Sequence, residues 1–168
     1  VSTGEFRDKG SKFFAFVHPI ESLDIYKVNL QDYKSAHPKA CHVCSAYRLY
    51  SNGQLNEYVS DDGEPRGSSG PPILNSIKRH EIINVGLFVV RYFGGTKLGI
   101  PGLINAYGSG AEDALLNIAK IPWKPTIVLK VEHGYDQSNI IDMVVAQFAG
   151  EIINQDFAEE IQTTVKLD

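Results

Sequence analysis

Asn84-Val85-Gly86-Leu87-Phe88-Val89-Val90-Arg91-Tyr92-Phe93-Gly94-Gly95-Thr96-Lys97-Leu98-Gly99-Ile100-Pro101-Gly102 is the stretch on which the fold turns. Its apolar run, from Val85 to Val90, predicts a central strand buried on both faces, spanning Asn84–Tyr92. The glycines that follow forbid the strand from continuing and predict a loop in which backbone makes a tight turn or approaches something closely. Pro101 then opens a helix over Pro101–Ala119, lined by Leu103, Ala106, Ala111, Leu115 and Ile118.

Upstream lies a second glycine-rich loop, Asp61-Asp62-Gly63-Glu64-Pro65-Arg66-Gly67-Ser68-Ser69-Gly70-Pro71-Pro72. It leads into an expected helix over Pro72–His80, with proline inside its first turn. Before it, His42–Tyr50 and Leu55–Ser60 flank Ser51-Asn52-Gly53-Gln54, whose Asn-Gly is a strong hairpin signal. Glu21–Ala36 carries Leu23, Tyr26, Leu30 and Tyr33 at helical spacing and is stopped by Pro38. Lys12–His18, rich in Phe and Val, reads as a strand ended by Pro19.

Downstream, Pro122 and Pro125 bracket a boundary between residues 1–121 and 122–168. Beyond it the pattern predicts a strand (Thr126–Glu132), a helix (Gln137–Ala149) and two more strands (Glu151–Asp156 and Glu160–Leu167). That β-α-β-β order is part of a split βαβ unit, and it predicts a further helix and strand past the last residue.

The net charge of −4 is unevenly spread. Residues 1–120 hold 13 Lys and Arg against 12 Asp and Glu, whereas residues 121–168 hold 3 against 8. A polyanion contact would therefore need a local basic patch on the first part, because nucleic-acid binders are more often basic overall. No apolar run approaches the length of a membrane span, so no membrane partner is expected. Two cysteines without a disulfide framework predict a reducing, cytoplasmic setting.

The acidic loop invites chemistry. Asp61, Asp62 and Glu64 could hold magnesium or supply a general base, but Asp62-Gly63 also suits a plain turn. Ser68, Ser69 and Gly70 precede a helix start, where a serine would cap and the remaining N–H groups could hold an anion. The helix start near Pro101 offers a second such end, with Lys97 close before it. Neither loop has the Lys-[Ser/Thr] ending of a nucleotide-binding P-loop.

Arg91, Tyr92 and Phe93 combine a guanidinium with rings, which suits phosphates and unpaired bases. By alternation, Phe93 is expected to pack inward and Arg91 to pair with Asp61 or Asp62 or to meet a ligand. Cys41 and Cys44 form a C-x-x-C, but on a strand they point to opposite faces, against a redox pair or a shared metal. His42 stays a candidate general base, with a core or near-site role as the plainer reading.

Ala40-x-His42-x-Cys44-x-Ala46, Asp61 to Pro65, Arg91 to Gly95, Leu98-Gly99 and Ala106-Tyr107 occur in this order along the chain. On these motifs the chain resembles the IMPACT/YigZ family over nearly its whole length. Ser68-Ser69 stands where the family usually has Thr-Ala, and Pro101 where it usually has Gly. The resemblance implies an α+β protein whose first domain is like the second domain of ribosomal protein S-five. It implies a second, ferredoxin-like domain similar to the last domain of elongation factor G, expected to be incomplete here at the C-terminus. It also implies a link to the control of translation, with bacterial members resembling nucleic-acid binders.

Together these readings predict an RNA- or ribosome-associated protein with a polar groove between the two loops. Arg66, Ser68, Ser69, Gly70, Arg91, Gly94, Gly95, Lys97 and Gly99 would form it, with no cofactor and no metal. The competing readings are a hydrolase or phosphoryl-transfer enzyme built on His42, Asp61, Asp62 and Glu64, and a protein-interaction module that docks a translation-control partner through the acidic second domain.

Overall fold

A computed structural model describes residues 1–116 and 118–167. The chain divides into two compact units, Val1–Lys120 and Ile121–Asp168.

The first unit is built on a five-stranded sheet in the order β1-β2-β5-β3-β4, with every neighbouring pair antiparallel. Its strands are β1 (Ser2–Asp8), β2 (Ser11–Pro19), β3 (His42–Ser51), β4 (Gln54–Ser60) and β5 (Val85–Tyr92). β5 lies at the centre and is buried from Val85 to Arg91, as its unbroken apolar run requires.

Three helices cover the sheet: α1 (Leu23–Ala36), α2 (Gly70–Arg79) and α3 (Gly99–Leu115). On one face α3 lies over β1 and β2, and α2 over β3 and β4. Between them and the sheet sits the main core, with Phe13, Ala15, Cys44, Leu87, Val89, Ile73, Leu103 and Tyr107. On the other face α1 packs over β3 and β5, closing a smaller cluster of Ile20, Tyr26, Leu49 and Phe88.

The Asn52-Gly53 turn has both residues at positive φ, 52° and 79°, the twisted turn that joins adjacent strands without splaying them. Lys9-Gly10 makes the same kind of turn, φ 45° and 80°, between β1 and β2. Strand β1 has no counterpart in the sequence reading. It is polar apart from Phe6, and it joins the sheet because Gly4 lets α3 lie against it. A Cβ on Gly4 would stand 2.3 Å from the Ala114 nitrogen.

The second unit has a three-stranded antiparallel sheet in the order β6-β8-β7, from β6 (Ile127–His133), β7 (Glu151–Phe157) and β8 (Ile161–Leu167). The helix α4 (Ser138–Gln147) connects β6 to β7. The last strand inserts between the other two, as in a ferredoxin-like unit, and buries Ile161, Thr163 and Val165, while α4 buries Val145.

Candidate functional site

β4 ends at Ser60, and the chain turns at once. Glu64 N donates to the Asp61 carbonyl at 2.9 Å, closing a turn in which Asp62 and Gly63 have φ 43° and 89°. This frees the Asp61 carboxylate to face the loop beyond. Its Oδ2 accepts from Gly67 N at 2.8 Å, and its Oδ1 accepts from Ser69 N at 3.1 Å, Ser69 Oγ at 2.7 Å and Gly70 N at 2.8 Å. Burial raises the Asp61 pKa, but these four donors outweigh it and hold the carboxyl below its ordinary value.

The start of α2 is therefore capped by Asp61 across the loop. The expected serine cap is corrected: Ser69 makes no side-chain bond to the helix, and Ser68 Oγ donates to the Pro65 carbonyl instead. The expected anion site at this end is corrected as well. Gly70 N is bonded to Asp61, Pro71 and Pro72 have no N–H, and Ile73 N donates to the Ser69 carbonyl. Ser68, Ser69 and Gly70 are all fully buried.

Asp62 has different work. Its carboxylate pairs with Lys34 Nζ at 2.6 Å and accepts from Val43 N at 2.7 Å. Its carbonyl lies 2.7 Å from His42 Nδ1, and since a carbonyl can only accept, that nitrogen carries the proton. Glu64 turns inward, where its Oε1 accepts from Arg91 Nη1 at 2.5 Å and from the Tyr107 hydroxyl at 2.8 Å. His42 Nε2 lies 4.0 Å away, at the better-exposed edge of this cluster. The three carboxylates thus point to three different partners. Among the described residues no group of three His, Cys, Asp or Glu is placed to hold a metal.

Register explains why Arg91 is inside. Phe13, Arg91 and His42 lie directly opposite one another on β2, β5 and β3, on the face that α2 and α3 cover. Arg91 is only 6% exposed, with its guanidinium 5.6 Å from the Phe13 ring and 5.7 Å from the Phe93 ring. Its Nε has no hydrogen-bond partner among the described residues. The expected partners Asp61 and Asp62 are corrected to Glu64. Phe93 is corrected too: the strand ends at Tyr92, alternation stops with it, and Phe93 is 48% exposed.

Cys44 is buried on β3, and Cys41, one residue before that strand begins, is exposed. Burial pushes the Cys44 thiol up to about 12, despite contacts with Ser69 and Tyr107 that favour the thiolate. The thiol donates to the Asp61 carbonyl at 3.1 Å, so Cys44 is no partner for His42 in nucleophilic chemistry.

The second loop is open. Phe93, Gly94, Gly95, Thr96 and Lys97 are all exposed, as are Gly99 and Arg66. Gly94 pins it to the β1–β2 turn, because a Cβ there would stand 1.9 Å from the Gly10 carbonyl carbon. α3 starts at Gly99, two residues before Pro101, with Leu98 at its cap position, no side-chain cap bond and no acid in its first turn. The site residues that sequence reasoning missed are Tyr107 and Lys34. A tyrosine among Leu103, Ala106 and Ala111 was the available signal for the first.

Residues 9–115 match the family model described as the Impact N-terminal domain. The chain belongs to the IMPACT family. The IMPACT family member YigZ of Escherichia coli (strain K12) is 30% identical over 160 residues, which is 95% of this chain and 78% of that protein. An IMPACT family member of Haemophilus influenzae is 31% identical over 154 residues, 91% of this chain and 75% of that one. Among solved structures, one described as the crystal structure of a hypothetical protein is similar with a TM-score of 0.77 and 29% identity. That likeness covers 99% of this chain and 82% of the other. Among the described residues no helix is long and apolar enough to cross a membrane.

Proposed function

We propose that this IMPACT family chain binds single-stranded RNA, as a ribosome-associated protein in the control of translation, through the Phe93–Gly99 loop and the start of α3. The family resemblance drawn from its motifs names the process. The observation that carries the binding is the contrast between two helix ends. α2 has its donors taken by Asp61, whereas the seventeen-residue α3 presents an uncapped N-terminus beside an exposed lysine. An uncapped helix start carries partial positive charge and free N–H groups, which favour a phosphate. Lys97 and Arg66 supply exposed cations, and Gly95 and Gly99 leave the backbone open to a strand. Arg91 leaves the set of phosphate-binding groups, because its guanidinium is committed to Glu64.

The enzyme reading has less support. Each of its acids, Asp61, Asp62 and Glu64, is engaged by separate donors, and a metal-assisted step needs them to converge.

Fluorescence anisotropy of a labelled single-stranded RNA tests the proposal. Two phosphate contacts give a salt slope of about 1.4, so affinity should fall roughly sevenfold between about 50 and 200 mM salt. Lys97→Glu should weaken binding and flatten that slope. Absence of binding by the wild-type chain would move the role to a protein partner.

A further inference from the structure

The face of the sheet opposite α2 and α3 is only partly covered, because α1 lies over β3 and β5 and touches β2 through Tyr33, at Phe16 and His18. On β2 the residues facing that side are Lys12, Phe14, Phe16 and His18, alternating with the core residues Phe13, Ala15 and Val17. Of the two phenylalanine rings on that side, Phe16 is covered by Tyr33 of α1, whereas Phe14 meets Tyr92 where a polar residue is the ordinary choice on a partly covered face. Together with Tyr92, Phe93 and His37 they wall a hollow of about 480 Å³, within the range of small-ligand sites.

The walls are pre-set. Phe14 and Tyr92 meet edge to face at 6.0 Å, and Phe16 stacks on Tyr33 at 4.3 Å. His37 Nδ1 and the Tyr92 hydroxyl are hydrogen-bonded at 2.8 Å, which fixes both rings. Gly10 contributes to the floor, where a side chain would strike the Gly94 carbonyl at 2.9 Å. Lys12 stands at the mouth, exposed and without an ion pair among the described residues, and no carboxylate lines the hollow. Aromatic walls with a cation at the rim and no acid suit a flat ring carried on an anionic backbone better than an apolar side chain or a cation.

Phe93 links this hollow to the loop described above. It lines the hollow and begins the run that reaches Lys97 four residues later, a distance of at most about 14 Å along the chain. We infer that the hollow takes one unpaired base of the RNA strand whose phosphates meet Lys97 and the start of α3, an inference that rests on the RNA-binding reading. The sheet face gives stacking, which tolerates any base, and the loop gives charge.

Two measurements on the full chain separate this inference from the reading beneath it. Phe93→Ala removes a half-exposed ring that lies 5.7 Å from the Arg91 guanidinium and should lower the melting temperature by only a few degrees, so binding is compared where both chains are fully folded. It should weaken binding of a labelled oligoadenylate by about fivefold or more, the cost of one lost stack, with an unaltered salt slope. Lys97→Glu instead lowers the slope by about 0.7. A strand of abasic residues with the same phosphates should bind the wild-type chain weakly by a similar factor. RNA binding indifferent to both Phe93→Ala and the loss of bases overturns the hollow and leaves the RNA reading in place. No RNA binding at all overturns both.

Discussion

Replacing Asp61 by alanine removes one carboxylate and strands four donors. Ser69 Oγ can rotate to another acceptor, and Gly67 lies where water can reach it. Ser69 N and Gly70 N belong to fully buried residues and lose their partner outright. Each stranded buried donor costs about 1–3 kcal/mol, so the substitution should destabilise the first unit by roughly 4 kcal/mol. That is a large part of the roughly 5–15 kcal/mol that holds a domain folded. At about 3–5 °C per kcal/mol for a unit of this size, the melting temperature should drop by roughly 12–20 °C. Asp61→Asn keeps one acceptor but aims an amide at Gly67 N, and should cost about half as much. Urea unfolding checks the numbers, with the midpoint moving and the slope unchanged. A loss below about 1 kcal/mol for Asp61→Ala would refute the carboxylate as the cap of α2. The sign with pH follows from the depressed pKa of Asp61 in the folded chain. Its contribution is complete above the ordinary carboxylate value and is lost as pH falls through the lower folded value. The stability gap between wild type and Asp61→Ala should therefore begin to narrow below about pH 4, where the unfolded carboxyl protonates, and go on narrowing as pH falls toward the folded value.

Two further outcomes follow from the same cluster. With its thiol pushed up to about 12 and buried, Cys44 should resist alkylation at pH 8 while exposed Cys41 reacts, giving one reactive thiol in the native chain and two in denaturant. Arg91→Met should cost about 3–5 kcal/mol because it leaves Glu64 charged and buried, and Arg91→Met with Glu64→Leu should recover most of that loss in urea unfolding.

Much of the fold was legible because the residues that decide it act locally. The apolar run Val85–Val90, the Asn52-Gly53 turn and the stripe on α3 each carry their own signal. β1 was not legible, since its pairing depends on Gly4 admitting a helix more than a hundred residues away. The site was legible as composition and illegible as wiring. The two loops are where the polar residues gather, but a sequence does not say which acid meets which donor. Asp61 caps α2 from across its own loop, while Glu64, three residues on, dives inward to Arg91 and Tyr107. Alternation failed at Phe93 because β5 stops one residue earlier, and it does not reach Cys41, which lies one residue before β3 begins. Lys12–His18 read as a strand, but its pattern does not say that Phe14 and Phe16 face away from the main core that holds Phe13, Ala15 and Val17.

The measurement that tests the central claim most directly is a titration of the isotopically labelled chain with single-stranded RNA, followed through backbone amide signals. Shifts concentrated at Gly94, Gly95, Lys97 and Gly99, with Gly67, Ser69 and Gly70 unmoved, are the predicted result. Shifts centred on the Asp61–Gly70 loop or on the second unit, or none at saturating RNA, would contradict it.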